Sequence, residues 1–205
     1  MKNLPSTLPV FPLSGVIYFP KTNLPLNIFE QRYLNLVNDA YSRDKLMGMV
    51  QSKKESGNVY QVGCLGKISD YQKSKDGRIL INLTGISRFK ILEEISNDKL
   101  YREFKVDYKD FNEDSTETNN LVDTKLLMDN AKKFFKRNGL LLNWKEFEKL
   151  DQSQKINTLA MIAPITNEEK QKLLESISLK NKVETLESII SFYLHETNFN
   201  NQTVQ

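Results

Sequence analysis

Residues 62–92 have the sequence VGCLGKISDYQKSKDGRILINLTGISRFKIL, and this segment carries the clearest signals of secondary structure in the chain. It contains three short apolar or alternating runs, 64–71, 78–83 and 86–92, which predict β-strands because alternation places one face of a strand on a core. Asp76-Gly77 lies between the first two runs and indicates a type I′ hairpin turn, in which both central residues need a positive φ. The stretch therefore predicts consecutive antiparallel strands.

Strand patterns continue on both sides of this stretch. On the N-terminal side, apolar runs bounded by Gly, Pro or polar residues lie at 8–13, 24–28 and 46–51. On the C-terminal side, apolar and charged residues alternate over 104–108, which predicts a half-exposed strand that closes the sheet. One helix interrupts the strands, since apolar residues recur at helical spacing over 29–41. Six or more short strands with one inserted helix predict a small β-barrel, closed or partly closed.

The second half of the sequence follows a different pattern. Seven of the eight glycines and five of the six prolines precede residue 86, and beyond it apolar residues recur every three or four positions. This spacing predicts a helical bundle with helices near 121–135, 156–163, 168–177 and 183–193. A polar cluster at 107–118 predicts the linker between the two parts. We therefore expect an α+β chain with a β-barrel domain at 1–112, a helical bundle at 119–198 and a frayed tail at 199–205.

The composition narrows the class of protein. The 29 Lys and Arg residues against 26 Asp and Glu give a net charge of +3, far below the basic surface of a protein that binds nucleic acid through phosphate contacts alone. A single Cys and a single His exclude an intramolecular disulfide and Cys- or His-pair metal sites. No apolar run approaches the roughly 20 residues of a membrane span, and no export signal is found, so we expect a cytoplasmic protein.

Three motifs that would carry chemistry have simpler explanations. Residues 63–67, GCLGK, are too short for a phosphate-binding loop and are followed by Ile68 instead of Ser or Thr. The run 132–137, KKFFKR, interleaves basic and aromatic residues, but on a helix its charges form a solvated face. Glu93 and Glu94 are adjacent, so in a strand they point to opposite faces and form no catalytic pair. The sequence therefore predicts no catalytic, cofactor-binding or metal-binding residues.

An ordered series of motifs carries a family resemblance. The series consists of LPVFPL at 8–13, YFP at 18–20, LPLNIFEQRY at 24–33, MGMV at 47–50, VG at 62–63 with Ile68, DGR at 76–78 and GISRF at 85–89. Its order and spacing resemble the N-terminal, substrate-binding domain of the Lon protease family in a shorter, stand-alone form. The resemblance runs motif by motif from residue 8 to about residue 108, and more loosely over 121–194.

The resemblance implies a PUA-like β pseudo-barrel with one inserted helix, followed by an α-helical bundle. It implies binding of unfolded or extended, apolar polypeptides, with a separate protease or chaperone as a further partner and with self-association into a homo-oligomer. Full-length Lon continues into an ATPase module and a Ser-Lys protease domain, whose motifs are missing from this sequence, so we expect a non-catalytic binding module. The alternative is RNA binding through the PUA-like barrel and the basic run at 132–137. A third and less favoured alternative is an enzyme that uses carboxylates such as Asp70 or Asp76.

The motifs also contain the candidate site residues. An exposed, partner-binding surface is expected to form from the aromatic and apolar residues Tyr18, Phe19, Leu24 and Tyr33. Ile28 and Phe29 open the helix beside the barrel and are expected to belong to the core. Glu30 lies in the first turn of that helix and is expected to form a structural ion pair with Arg32 or Arg88.

The motif search predicts that the purified protein neither binds nor hydrolyses ATP and leaves unfolded casein uncut. Nucleotide binding needs backbone donors around the β- and γ-phosphates and a hydroxyl that orders the metal, and residues 63–67 are two residues too short for that loop. ATPase rates and the release of labelled casein fragments check this expectation. A rate above that of buffer, abolished by a point mutation in this chain, would contradict it.

Overall fold

The computed structural model describes residues 4–53, 57–115 and 122–200, except the side chains of residue 115 and residues 196–200. The strands among these residues are β1 (Thr7–Leu13), β2 (Asn23–Ile28), β3 (Leu46–Gln51), β4 (Val62–Lys73), β5 (Ile79–Ile95) and β6 (Arg102–Asp107). The helices are α1 (Gln31–Tyr41), α2 (Lys125–Arg137), α3 (Trp144–Phe147), α4 (Gln152–Ile162), α5 (Asn167–Glu175) and α6 (Leu179–Asn200), with a 3₁₀ helix at Lys109–Ser115. The α+β class is confirmed, and the chain divides into two compact units, Met1–Glu117 and Thr118–Gln205.

The first unit is a ring of strands. Its sheet has the order β2-β5-β4-β3-β1-β6, and β6 pairs again with β5, which closes the ring. Neighbouring strands are antiparallel except β1 and β3, which run parallel. The barrel predicted from the strand pattern is confirmed. Within the described residues, β2 pairs with β5 alone and is an edge strand.

Strand β5 joins the two sides of the ring. The first half of β5 pairs with β2, and its second half pairs with β6. Strand β4 pairs with β5 along most of the length of β5. Two separate strands were expected here, and that expectation is wrong because the strand continues through Gly85. The N–H of Gly85 donates to the carbonyl of Thr22 at 2.9 Å, and its carbonyl accepts from the N–H of Lys21 at 2.9 Å. A β-carbon at Gly85 would lie 2.2 Å from the carbonyl oxygen of Phe19, so a residue without a side chain is needed for this close approach.

Apolar side chains from alternating strand positions fill the interior of the ring. The buried members of this core are Leu8, Val10, Val50, Val59, Leu65, Phe89, Ile91, Phe104 and Val106. Helix α1 packs on β1 and β3 through its buried residues Tyr33, Leu36, Val37 and Ala40. The helix begins two residues later than the pattern predicts, because Glu30 has an extended backbone (φ −72°, ψ 134°) as the residue before the first turn.

The connection between β4 and β5 differs from the predicted type I′ turn. Of its residues, Gly77 has a positive φ (88°), whereas Asp76 does not. The N–H of Gly77 donates to the carbonyl of Ser74 at 3.1 Å, and the N–H of Ser74 donates to the carbonyl of Arg78 at 2.8 Å. The loop is therefore longer than the two residues that an Asp-Gly hairpin predicts, and a single glycine in the left-handed region is sufficient to close it.

The predicted linker at 107–118 is structured over its first part. The 3₁₀ helix Lys109–Ser115 is fixed to β5 by an ion pair between Asp114 and Arg88, whose side chains are 8% and 2% exposed. Asp114 Oδ2 accepts from the backbone N–H and Nε of Arg88 at 2.8 and 2.9 Å, and Oδ1 accepts from Nη2 at 2.8 Å. The guanidinium also lies 4.5 Å from the centroid of the buried Phe111 ring. The expectation of an irregular linker is therefore wrong for residues 109–115, although residues 109, 110, 112 and 113 are exposed as expected of a surface segment.

The second unit consists of helices α2 to α6, so the predicted helical part is confirmed. Helix α2 begins at Lys125, and the predicted start at 121 lies outside the described residues. Its end is the predicted glycine cap, in which Gly139 has a φ of 67° and donates to the carbonyl of Lys136 at 3.2 Å. At the start of α5, Thr166 and Glu169 form the predicted capping box.

The helical prediction fails in two places. Helix α3 has four residues, too few to produce a helical period in the sequence, and it was missed. Helix α6 continues to Asn200, two residues into the predicted frayed tail, and residues 201–205 lie outside the described residues. No helix in the described part of the chain is long and apolar enough to cross a membrane.

The close approach at Gly85 predicts a large effect of a small side chain. We expect Gly85→Ala to lower the free energy of unfolding by about 2–3 kcal/mol, because the new methyl group overlaps backbone atoms and displaces the segment before β2 from β5. The control Leu92→Ala lies on the same strand with an exposed side chain and is expected to change stability by less than about 0.5 kcal/mol. Urea unfolding measures both variants, and equal losses would contradict the close approach.

Candidate functional site

A groove of about 600 Å³ opens on the first unit where the end of β1, the start of α1 and the start of β6 meet. The sheet register brings these parts together, since Val10 on β1 pairs with Arg102 on β6 and Leu13 pairs with Gln51 on β3. We call this site the Tyr33 groove. It is lined by Pro12, Leu13, Ser14, Glu30, Arg32, Tyr33, Ser52, Gly57 and Arg102.

Tyr33 fixes α1 to the end of β1 and forms part of the groove wall. Its hydroxyl donates to the carbonyl oxygen of Pro12 at 3.3 Å, and its ring packs on Phe11 with centroids 4.1 Å apart. The Arg32 guanidinium lies over the same ring, 4.4 Å from the centroid. Burial raises the pKa of the Tyr33 hydroxyl, and the nearby Arg32 opposes that rise. The hydroxyl therefore stays protonated at neutral pH and acts as a donor.

The charged groups on the groove wall are paired. Arg32 Nη2 lies 2.8 Å from Glu30 Oε2. Arg102 forms a two-point pair with Glu94, with Nε–Oε1 and Nη2–Oε2 distances of 2.6 Å, and its Nη1 donates to the carbonyl of Gly57 at 3.2 Å. The hydrogen bond with Arg102 lowers the pKa of the Glu94 carboxyl. Because these pairs are partly exposed, they contribute little to stability, and their main effect is to balance the charges of the described lining residues.

Phe29 directly precedes the groove residue Glu30, and 66% of its surface is exposed. The expectation that Ile28 and Phe29 are core is right for Ile28 and wrong for Phe29. Phe29 falls between β2 and α1, and strand alternation turns it outward because Ile28 points inward. Sequence reasoning missed this exposed aromatic residue, although it directly follows the buried last residue of a strand.

The four residues expected to form an exposed surface are buried instead. Tyr18 is 2% exposed and Phe19 is fully buried, while Leu24 and Tyr33 also belong to the core. Tyr18 and Phe19 lie in the irregular segment between β1 and β2, and Tyr18 packs so closely that a β-carbon at Gly66 would lie 2.2 Å from its hydroxyl oxygen. The expectation of exposure is wrong for all four, and of these four Tyr33 is the one that lines the groove.

The two arginines expected beside Glu30 have different surroundings. Arg32 lies next to Glu30 at the start of α1 and pairs with it at the surface. Arg88 points from β5 into a buried environment and pairs with Asp114. Sequence spacing does not predict the second pair, because Asp114 lies 26 residues further along the chain and its position depends on the 3₁₀ helix.

The basic run 132–137 lies on α2 as expected of a solvated face. Phe134 and Phe135 are buried, while Lys132 pairs with Glu148 at 3.1 Å and Arg137 donates to the carbonyl of residue 194 at 3.0 Å. RNA binding through this run stays a prediction. No group of three or more side chains that could hold a metal ion occurs in the part of the chain that the structure describes.

The sequence matches a known protein family over most of its length. The family model for the ATP-dependent protease La (LON) substrate-binding domain matches residues 7–191. Two curated relatives named Lon protease are 27% identical over 93% of this chain in Syntrophus aciditrophicus and 24% identical over 94% of it in Dictyoglomus thermophilum. The chain spans about a quarter of the length of these relatives, 26% and 25% respectively.

Solved structures share the fold. A Lon N-terminal domain protein from Xanthomonas campestris has a TM-score of 0.68 at 22% identity, covering 89% of this chain and 97% of that chain. The N-terminal domain of a Mycobacterium avium complex Lon protease has a TM-score of 0.67 at 16% identity, covering 90% of this chain and 98% of that chain. At these identities the likeness concerns the fold.

The burial of Tyr18 predicts that its hydroxyl is dispensable. The hydroxyl oxygen has no hydrogen-bond partner within the described residues, and burial raises its pKa. We expect Tyr18→Phe to leave the free energy of unfolding at neutral pH unchanged or to raise it by up to about 1 kcal/mol, since an unpaired buried hydroxyl is lost. Phe19→Ala, which removes a buried ring, is expected to lower it by about 3–5 kcal/mol.

The buried hydroxyl of Tyr18 also predicts how stability depends on pH in the wild type and in Tyr18→Phe. Above about pH 10 an unfolded Tyr loses its proton while folded Tyr18 keeps it, so the unfolded state binds fewer protons and stability falls as pH rises. Tyr18→Phe should reduce this alkaline loss. Urea unfolding of wild type and variant at neutral and alkaline pH measures the difference, and parallel losses in the two proteins would contradict it.

Proposed function

The chain belongs to the family of ATP-dependent protease La (LON) substrate-binding domains, and we propose that it captures extended, apolar polypeptide segments in the Tyr33 groove. The family supports a role in substrate recognition. The proposal adds the site, the class of polypeptide and a non-catalytic mode of action. Self-association stays a prediction.

The exposed side chain of Phe29 beside the groove carries this proposal. Full burial of a Phe side chain is worth roughly 1.5–3 kcal/mol. Because Phe29 is 66% exposed, a partner that covers it would be stabilised by a large part of that free energy. A polypeptide could cover Phe29 with an apolar side chain while its main chain lies in the neighbouring groove. Unfolded polypeptides supply such side chains at many positions, whereas folded proteins bury most of theirs.

The groove also offers polar groups to a main chain. The hydroxyls of Ser14 and Ser52 have no hydrogen-bond partner among residues 4–53, 57–115 and 122–200. A hydroxyl both donates and accepts, so it can pair with the N–H or C=O of any residue. Contacts of this kind are independent of the bound sequence, which suits a module that meets many different polypeptides.

Side-chain burial supports binding better than the addition of a strand to the sheet. The edge strand β2 contains Pro25, which has no N–H to donate to an incoming strand, and prolines on edge strands limit such pairing. The groove lies at the junction of β1, α1 and β6, where segments meet at their ends and no long strand edge is offered. An extended segment would therefore lie in the groove without joining the sheet.

We propose no catalytic activity for these 205 residues. The sequence contains neither a phosphate-binding loop nor a Ser-Lys motif, and in the described part of the chain Glu30 pairs with Arg32 and Arg102 pairs with Glu94. Hydrolysis of a captured polypeptide and its ATP-driven unfolding would belong to a protease partner.

Phe29→Ser tests the proposal. We expect the affinity for a reduced, unfolded model protein to fall by about 5- to 30-fold, the factor for 1–2 kcal/mol, because an exposed apolar contact is lost. Stability should stay within about 0.5 kcal/mol of wild type, since the side chain is exposed. Fluorescence anisotropy of the labelled model protein measures the affinity, and urea unfolding measures the stability.

Phe192→Ser is the matched control. Phe192 is an aromatic residue with a similar exposure, 58%, on α6 in the second unit. It should leave the affinity unchanged. If both variants weaken binding equally, the effect reflects general hydrophobicity and the Tyr33 groove is not the site; if wild type binds no unfolded protein at all, the proposed function is wrong.

A further inference from the structure

A second groove of about 380 Å³ adjoins the Tyr33 groove. It is formed by the connection between β5 and β6, from Glu94 to Arg102, and it includes the exposed side chain of Leu100. Arg102 lines both grooves. We call the second site the Leu100 groove. The shared residue places the two grooves next to each other, with Phe29 adjacent in sequence to one and Leu100 within the other.

The guanidinium of Arg102 is held in a fixed orientation at this junction. Glu94 takes two of its five N–H groups and the Gly57 carbonyl takes a third. The guanidinium also lies 4.9 Å from the centroid of the Phe104 ring. Its remaining two N–H groups have no partner in the described part of the chain, and the side chain is 31% exposed. Arg102 therefore offers oriented donors to a molecule that passes between the grooves.

The charged side chains that line both grooves are paired within the described residues. In the Tyr33 groove Glu30 pairs with Arg32, and Arg102 pairs with Glu94. In the Leu100 groove the cation Lys99 pairs with Glu103 at 2.6 Å. A charged side chain that enters such a site loses water and meets no unpaired opposite charge among the described lining residues, which disfavours it relative to an uncharged side chain.

We propose that the two grooves form one track for an uncharged, extended polypeptide segment, in which Arg102 donates hydrogen bonds to a main-chain carbonyl at the crossing point. This inference rests on the proposed function and adds the charge preference and the role of Arg102. Carbonyl oxygens recur at every residue of a polypeptide, so Arg102 would hold a segment without selecting its sequence. Because Glu94 neutralises Arg102, the track favours segments with uncharged side chains.

Three labelled peptides test the proposal, with the same Leu- and Phe-containing centre and with neutral, acidic or basic flanks. Wild type should prefer the neutral peptide. Glu94→Gln leaves Arg102 without its counter-charge and should raise affinity for the acidic peptide by about tenfold. Arg102→Gln should lower affinity for the neutral peptide by about tenfold and move the preference to the basic peptide. Arg102→Lys, which keeps the charge and loses the fork of donors, should lower affinity for all three peptides.

The matched controls are Asp76→Asn and Arg78→Gln. These residues form an exposed pair, also at 2.6 Å, in the turn between β4 and β5, and neither lines a groove described above. Both controls should keep the wild-type order of peptides. Urea unfolding identifies any variant that fails to fold, and Glu94→Gln and Arg102→Lys then carry the test.

The outcomes separate the two proposals. If wild type binds the neutral peptide and the three groove variants leave affinities and preference unchanged, the track and the role of Arg102 are wrong while polypeptide binding stands. If wild type prefers a charged peptide, the charge preference is overturned. If wild type binds no peptide, the proposed function is overturned.

Discussion

The closure of the sheet through β5 is the constraint on which the first unit depends. The 17-residue strand β5 pairs with β2, β4 and β6. A straight strand could not reach all three partners, so β5 must be bent. Register shifts at Leu65/Gly66, Ile68/Asp70 and Ile91/Glu93 increase the local twist and bend the ladders. Gly85 allows the segment before β2 to cross β5 at backbone distance. The closed ring then fixes the end of β1 beside the start of β6, which is where the Tyr33 groove opens.

The sequence predicts most of the fold because most of it depends on local pattern. The alternation over 78–92 identifies the strand, and Thr166 with Glu169 identifies a helix start, since each pattern is made by residues close together in the chain. The break expected at Gly85 was wrong because the strand continues there through its pairing with Gly66 of β4. The glycine is needed for contacts with Lys21 and Thr22, which are about sixty residues away in the chain and leave no local pattern. The 3₁₀ helix was missed for the same kind of reason, because it depends on Arg88 of a distant strand.

The candidate site is less predictable than the fold. Tyr18 and Phe29 are both aromatic residues near prolines or strand ends, and their local sequences do not show that Tyr18 is buried and Phe29 is exposed. What separates them is the space above Gly66, which accepts Tyr18, and the strand phase at Ile28, which turns Phe29 outward. Arg102 carries no motif at all. Its position follows from its pairing with Val10, and its orientation follows from Glu94 across the hairpin.

The residues of the groove differ in how far stability and binding can be separated. Tyr33 is both wall and core, since its ring packs on Phe11 and its hydroxyl bonds the end of β1, so a change there alters the barrel and the groove together. Phe29 and Arg102 reach the site from a barrel whose interior they do not fill. Substitutions at these two positions can therefore change the surface offered to a polypeptide while the ring of strands stays closed. Under the proposed function, this separation lets the binding surface change without a loss of fold.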